Sequence, residues 1–224
     1  MFISLAFAQR EKKNLIIVGG SSFYLKSLMT GLSTLPSYSQ DTKDKAKQML
    51  EDLATVYKLF QKVDPKSLEA IEKNDAYRLE KLLLLYLQTN QRPSDYYAQH
   101  PAQPIIDDIT IFDLQSERQL LRERISLRTQ LMLDDGLIDE IASLEAKYGR
   151  QHASMKAIGV IETLQYLDNE ISLETLQESI STHTAQLAKR QTTFNKTQFE
   201  GTITGDKETL AEAIDRFFSE KVQH

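Results

Sequence analysis

The 224-residue sequence contains no cysteine. That excludes disulfides and thiolate metal sites, and it fits a reducing cytoplasm. Histidine is sparse as well. His100, His152, His183 and His224 are scattered, so the sequence shows no metal cluster. No apolar run approaches the length of a membrane span. Residues 1–8 are apolar, but Gln9-Arg10-Glu11-Lys12-Lys13 follows without a cleavage-like site, so this start reads as the end of a helix rather than a signal peptide. A positive excess is also missing. The formal net charge of −5 counts against a nucleic-acid binder unless a local basic surface exists. There is no internal repeat and no low-complexity tract.

What is present is ordinary for a soluble globular protein of one or two domains, with 41% hydrophobic and 26% charged residues. The chain is organised around Leu15-Ile16-Ile17-Val18, followed by Gly19-Gly20-Ser21-Ser22 and a helical pattern. Four apolar residues ending in glycines predict a buried strand, a tight turn and a helix whose N-terminus points above the strand end. In an open α/β sheet that is where ligands bind. The same pattern also suits any strand–turn–helix of an α/β core.

Only residues 108–114 and a short stretch near 199–203 read as further strands. Three strands make a thin sheet, which predicts that N-terminal strands are missing. The rest reads as helical. One helix is expected over 43–59, another begins at Asp64-Pro65, and a leucine-rich one spans 76–88. Residues 89–104 read as loop because of Pro93, Pro101 and Pro104. A helix over 116–134 starts with Ser116 and Gln119 as a capping box. Helices follow over 137–148 and from about 154, then a short and a longer one over 172–194, and an amphipathic one over 207–222.

Four stretches carry chemistry. Residues 181–199 hold Lys189, Arg190 and Lys196 among glutamine, threonine and asparagine, without one Asp or Glu. On a helix, Leu187, Gln191 and Phe194 share one side, and Lys189, Thr193 and Lys196 another. That suits a phosphate backbone and bases, or a solvated basic helix face. In the predicted helix over 116–134, Arg118, Arg122, Arg124 and Arg128 recur. Arg124 and Arg128 face the same way and suit an anion, unless Glu117 and Glu123 neutralise the set. The third stretch is Lys156-Ala157-Ile158-Gly159-Val160-Ile161-Glu162, otherwise a helix with a glycine for close packing. The fourth is Asp64-Pro65 with Asn74-Asp75-Ala76-Tyr77-Arg78-Leu79-Glu80-Lys81, otherwise plain helix caps.

Together these stretches resemble the tRNA dimethylallyltransferases (tRNA isopentenyltransferases). Residues 19–24 are similar to the family's GGTGLY, with Ser21 for threonine and Ser22 for glycine. Ala188-Lys189-Arg190-Gln191 and Thr193 match AKRQxTWF, with Phe194 for tryptophan. Arg118, Leu121, Arg124, Ile125, Arg128, Met132, Leu133, Gly136, Leu137 and Glu140 fit RxxLxxRIxxRxxxMLxxGLxxE. Residues 156–162 resemble xAIGYxE, with Val160 for tyrosine. Residues 64–65 and 74–81 resemble the DP and NDxxRxxRALE signatures, diverged at Lys81, Leu82 and Leu84.

The resemblance implies an α/β fold class: an incomplete P-loop-type core, with few strands and mostly helical, over 1–37 and 105–224. An all-helical insertion over 38–104 would grip the tRNA anticodon stem-loop. The implied reaction moves a dimethylallyl group from dimethylallyl diphosphate to N6 of adenosine-37, with Mg2+, on a nucleotide-binding, ATP-binding type of core. Arg128, with Arg124, would hold the donor diphosphate. Ser21, Lys156, Ala157, Ile158, Gly159, Val160, Ile161, Lys189, Arg190, Gln191, Thr192, Thr193, Phe194 and Asn195 would contact tRNA. A cytoplasmic monomer without membrane contact is expected.

The family's phosphate loop, G-x-x-x-x-G-K-[ST], and its DSxQ segment with the catalytic aspartate do not occur in this sequence. The expectation is a family member lacking that N-terminal segment, inactive or incomplete as this chain alone, with most Mg2+ ligands missing too. Nothing in the sequence places Asp113 or Glu162 beside a phosphate site as a replacement base. The alternatives are a catalytically inert RNA-binding remnant, or a helical interaction module with no RNA role.

Overall fold

The computed structural model describes residues 2–106 and 109–221. Two compact units emerge, one from residues 2–22 and 110–221, the other from 23–109. The elements run α1 (Phe2–Arg10), α2 (Ser22–Thr30), α3 (Gln40–Met49), α4 (Leu53–Val63), α5 (Ala76–Thr89), α6 (Pro93–Gln99), β1 (Phe112–Leu114), α7 (Arg118–Asp134), α8 (Leu137–Tyr148), α9 (Val160–Leu167), α10 (Leu173–Gln198), β2 (Ile203–Gly205) and α11 (Lys207–Lys221). Single 3₁₀ turns cover Pro65–Leu68 and Ala153–Lys156. The fold is mostly helical with one small parallel sheet, the expected class.

In the 23–109 unit the periodic apolar residues of α4 and α5 meet. Val56, Phe60, Leu79 and Leu83 are fully buried, and Phe60 packs edge-on against Tyr86 at 6.0 Å between ring centres. Each such side chain contributes about 2 kcal/mol of burial. The helix expected over 43–59 is two helices: the first ends at Met49 with Leu50 as its C-cap, and Asp52 caps the next by accepting the Thr55 N–H at 3.1 Å. The proline-rich loop expected over 89–104 contains α6. Pro93 does not break it but occupies its first turn, where no N–H is needed.

Asp64 knits this unit together. It is 2% exposed. Its carboxylate accepts the N–H and hydroxyl of Ser67 in the 3₁₀ turn, and the N–H and hydroxyl of Ser94 at 2.8 and 2.7 Å. Burial alone would push its pKa up, but these hydrogen bonds outweigh it and hold the carboxyl below its ordinary range. Gly31 is a second fixed point. Its φ is +75°, and a Cβ there would fall 2.0 Å from the Gln103 carbonyl oxygen.

In the other unit β1 and β2 pair in parallel, Phe112 beside Ile203 and Leu114 beside Gly205. The expected strands were longer and offset. Only Phe112–Leu114 pairs in the first; Asp108 lies outside the described residues. The second begins at Ile203 rather than near 199. The strand expected at residues 15–18 is not one. The segment pairs with no strand among the described residues, and Ile16 and Val18 are 64% and 91% exposed. Apolar patterning fits a strand, but a strand exists only where a neighbour takes its backbone hydrogen bonds.

Helix α7 begins one residue later than its expected cap. Glu117, not Ser116, accepts the Gln119 and Leu120 N–H groups, both at 3.0 Å, which lowers its pKa. The two helices expected over 172–194 are the single 26-residue α10, capped by Ser172. It packs along α7 and α9.

Candidate functional site

Helix α10 presents its sides to different neighbours, as its spacing predicts. Gln191 extends its amide to the glycine turn and donates to the Gly20 carbonyl at 2.9 Å. A Cβ at Gly20 would sit 3.4 Å from that amide nitrogen, an ordinary contact, so space alone does not demand glycine there. Ser21 follows on the same turn and is exposed. Lys189, Thr193 and Lys196 face the other way, into a cleft of about 680 Å³ between α7 and α10. A second depression of about 560 Å³ runs along α10 past Arg190, Phe194 and Thr197, sharing Lys189 and Thr193 with the first.

Not every polar group of this helix is free to meet a ligand. The Thr192 and Thr193 hydroxyls donate back to the Ala188 and Lys189 carbonyls at 3.1 and 3.0 Å, leaving them as acceptors only. Asn195 spends its amide N–H on Asp113 Oδ1 at 2.9 Å and ties α10 to β1. Its Oδ1 is buried with no partner among the described residues. Phe194 is half-buried, edge-on to Phe199 at 6.1 Å. Lys189 and Arg190 are exposed and form no ion pair among the described residues.

The arginines of α7 likewise form no ion pair among the described residues. Glu117 is spent on the helix cap and Glu123 accepts from Gln119 at 3.1 Å, so neither pairs with Arg118, Arg122, Arg124 or Arg128 as the sequence had allowed. Buried Ile125 and Thr129 mark the packed side of α7. Arg124 and Arg128, one turn apart, are exposed on a shared face. They do not line the cleft, which receives Arg118 and Arg122 instead.

Residues 156–161 run from the last residue of the 3₁₀ turn through Ala157–Gly159 into the first residues of α9. Lys156 and Ala157 are exposed, Ile158 and Val160 half-buried, and Ile161 exposed. Val160 packs against the small core of Ile141, Met155 and Leu164. Gly159 takes φ +90° to cap α9. Its N–H donates to Glu162 at 2.7 Å and its carbonyl accepts the Thr163 hydroxyl at 2.6 Å, so this peptide is held from both sides. Glu162 is 2% exposed, and its other oxygen accepts from His183 Nδ1 on α10. This Glu162–His183 lock was not read from the sequence. Its one local signal is a carboxylate three residues after a capping glycine.

Both carboxylates available as replacement bases are therefore engaged. Glu162 is bound at both oxygens, and Asp113 is bound by Asn195 and, at 3.4 Å, by Gln115. Among the described residues no three His, Cys, Asp or Glu come together as metal ligands. The described residues offer no carboxylate cluster for Mg2+.

In the 23–109 unit the Asn74-Asp75 pair is a cap. Asp75 accepts the Arg78 N–H at 3.0 Å and pairs with its guanidinium at 2.7 Å. A groove of about 470 Å³ there is lined by Lys66, Arg78, Ser94 and Tyr97. No helix of the described residues is long and apolar enough to cross a membrane.

Comparison with known proteins places these elements. The IPP transferase family model matches residues 3–198. A tRNA dimethylallyltransferase from Sulfurovum sp. (strain NBC37-1) is 47% identical over 208 residues, covering 92% of this chain and 69% of the relative. The tRNA dimethylallyltransferase of Sulfurimonas denitrificans is 46% identical over 210 residues, covering 94% and 71%. Among solved structures, the tRNA delta(2)-isopentenylpyrophosphate transferase of Staphylococcus epidermidis aligns at 25% identity and TM-score 0.56, over 96% of this chain and 71% of that one. A eukaryotic dimethylallyltransferase acting on tRNA aligns at 24% identity and TM-score 0.77, over 98% and 60%, and shares the fold. With motifs, fold and relatives in agreement, the chain belongs to the IPP transferase family, the prenyl-transferring enzymes named tRNA dimethylallyltransferases.

Proposed function

We propose that this chain recognises the anticodon stem-loop of tRNA and serves dimethylallyl transfer from dimethylallyl diphosphate to N6 of adenosine-37. The observation that carries this reading is the cationic side of α10. Lys189 and Arg190 stand exposed and unpaired beside Gln191, which is locked to the Gly20 turn. Cations of this kind position a sugar–phosphate backbone. A base inside a stack cannot present its exocyclic amine, so the reaction needs the adenine extruded, at a few kcal/mol, into a prepared site. The Gly19-Gly20-Ser21 turn, bonded to α10 through Gln191, and the 156–161 stretch, held at Gly159, suit that task.

Arg124 and Arg128 take the donor side. Their shared face offers two guanidinium groups that neutralise a diphosphate as it leaves. The helical 23–109 unit grips the stem. The phosphate-loop and DSxQ motifs do not occur in this sequence, and Asp113 and Glu162 are engaged elsewhere. The chain alone therefore binds RNA without transferring.

The test is fluorescence anisotropy with an unmodified anticodon stem-loop carrying A36-A37-A38. The expected result is specific binding that weakens with salt. Binding no tighter than to an unrelated hairpin overturns the reading and favours a helical interaction module.

A further inference from the structure

Among the described residues Glu162 is the only buried glutamate. A glutamate three residues after a helix cap ordinarily works at the surface and needs only the capping N–H. Here the carboxylate is shut away from water, where a lone charge is costly. One oxygen accepts the Gly159 N–H at 2.7 Å, and the other meets His183 Nδ1 on α10. Thr163, fully buried beside it, donates its hydroxyl to the Gly159 carbonyl at 2.6 Å. Both peptide groups flanking Gly159 are therefore held, around a residue whose φ of +90° favours glycine. Capping explains the bonds to Gly159. It does not explain the histidine, which comes from a different helix and is itself exposed. An imidazole on that carboxylate fixes the stretch 156–161 against α10. On the outer side of the stretch, Lys156, Ala157 and Ile161 stay exposed.

We infer that His183 is a positioning residue: by holding Glu162 it fixes the Gly159 peptides, and so sets how Lys156, Ala157 and Ile161 meet the nucleotide at position 37. The inference rests on the tRNA reading above. Without the imidazole, the buried carboxylate keeps a single bond and is drawn towards water. As it moves it releases the Gly159 N–H, and a stretch with glycine at its centre gains other conformations. A loosened surface has to be ordered when its ligand binds, and it rejects a wrong ligand less well because a misfit costs less. Adenine carries an amine at position 6 and guanine a carbonyl oxygen. Only a fixed surface penalises that exchange of donor for acceptor. The effect therefore falls on base preference, and attraction to the RNA backbone is left as it was.

The experiment compares the unaltered chain with His183→Ala and His183→Asn in binding two stem-loops that differ only in carrying adenosine or guanosine at position 37. Position 183 is exposed on α10 and alanine suits a helix, so the fold is expected to survive, and melting curves verify it. If the alanine variant does not fold, His183→Leu, which fills the site without a donor, takes its place. The unaltered chain is expected to prefer the adenosine stem-loop. His183→Ala should cut that preference roughly fivefold, with the slope of log affinity against log salt unchanged because no phosphate contact is lost. Hydrogen exchange at the Gly159 amide should speed up in the same variant. Asparagine places an N–H near the position of Nδ1 and should restore both the preference and the slow exchange. A lowered melting temperature with the preference intact overturns the inference and leaves the tRNA reading standing, as does equal binding of the two stem-loops by the unaltered chain. Failure of asparagine to restore the preference, or a fall in preference with Gly159 exchange unchanged, also overturns the inference alone. Binding by the unaltered chain no tighter than to an unrelated hairpin overturns the tRNA reading and the inference with it.

Discussion

Replacing Lys189 and Arg190 together by alanine raises the Kd for the anticodon stem-loop roughly 30-fold or more at physiological salt, with the fold intact. Both side chains are exposed and unpaired, so their removal leaves no buried charge or broken network behind. The neighbouring Gln191–Gly20 bond, which fixes the turn against α10, does not involve them. The loss should come mainly from two phosphate contacts, and the salt slope flattens by about 1.5. Single substitutions give about half of that change. Anisotropy across a salt series measures both quantities. An unchanged Kd means that the cationic side of α10 does not face RNA.

The second large effect belongs to the 23–109 unit. Asp64→Ala destabilises it by about 3 kcal/mol. The substitution strands two serine hydroxyls and two backbone N–H groups that converge on a buried carboxylate. It also uncouples the 3₁₀ turn at Pro65–Leu68 from α6. Asp64→Asn costs less, because an amide oxygen still accepts and the serine hydroxyls can rotate to accept from the amide. Seven of the nine tyrosines (Tyr24, Tyr38, Tyr57, Tyr77, Tyr86, Tyr96 and Tyr97) lie in this unit and there is no tryptophan, so tyrosine fluorescence during urea unfolding reports on it. The same carboxylate fixes a pH dependence. Its folded pKa is below the unfolded value of about 3.9. The stability it contributes is complete above that unfolded value and is lost as pH falls through the lower folded one. The alanine variant should lack this acid-induced loss, leaving a flatter profile below about pH 4.

Local chemistry explains what the sequence made legible. Asp64 and Asp75 read as caps and are caps, and α10's two faces follow its spacing. What failed depended on neighbours or on competition between local signals. Residues 15–18 have a strand's composition but no paired strand beside them among the described residues. Pro93 reads as a breaker when counted with Pro101 and Pro104, and as a helix start when its position is known. Ser116 and Glu117 are both able to cap, and the carboxylate won. The site's internal bonds span long separations: Gln191 to Gly20, Asn195 to Asp113, His183 to Glu162. No periodicity announces such pairs. The cleft between α7 and α10 was hidden for the same reason, because its cations come from two helices about seventy residues apart.

The most direct test of the whole account is transfer of labelled dimethylallyl from its diphosphate to unmodified tRNA containing A36-A37-A38, in the presence of Mg2+. This chain is assayed alone and beside a version joined to a family phosphate-loop segment. Both are expected to bind the RNA and only the joined version to transfer, with the label at N6 of adenosine-37. Transfer by the chain alone would contradict the proposal that it binds RNA without transferring. Failure of the joined version, with tRNA still bound, would contradict the donor-side role given to Arg124 and Arg128.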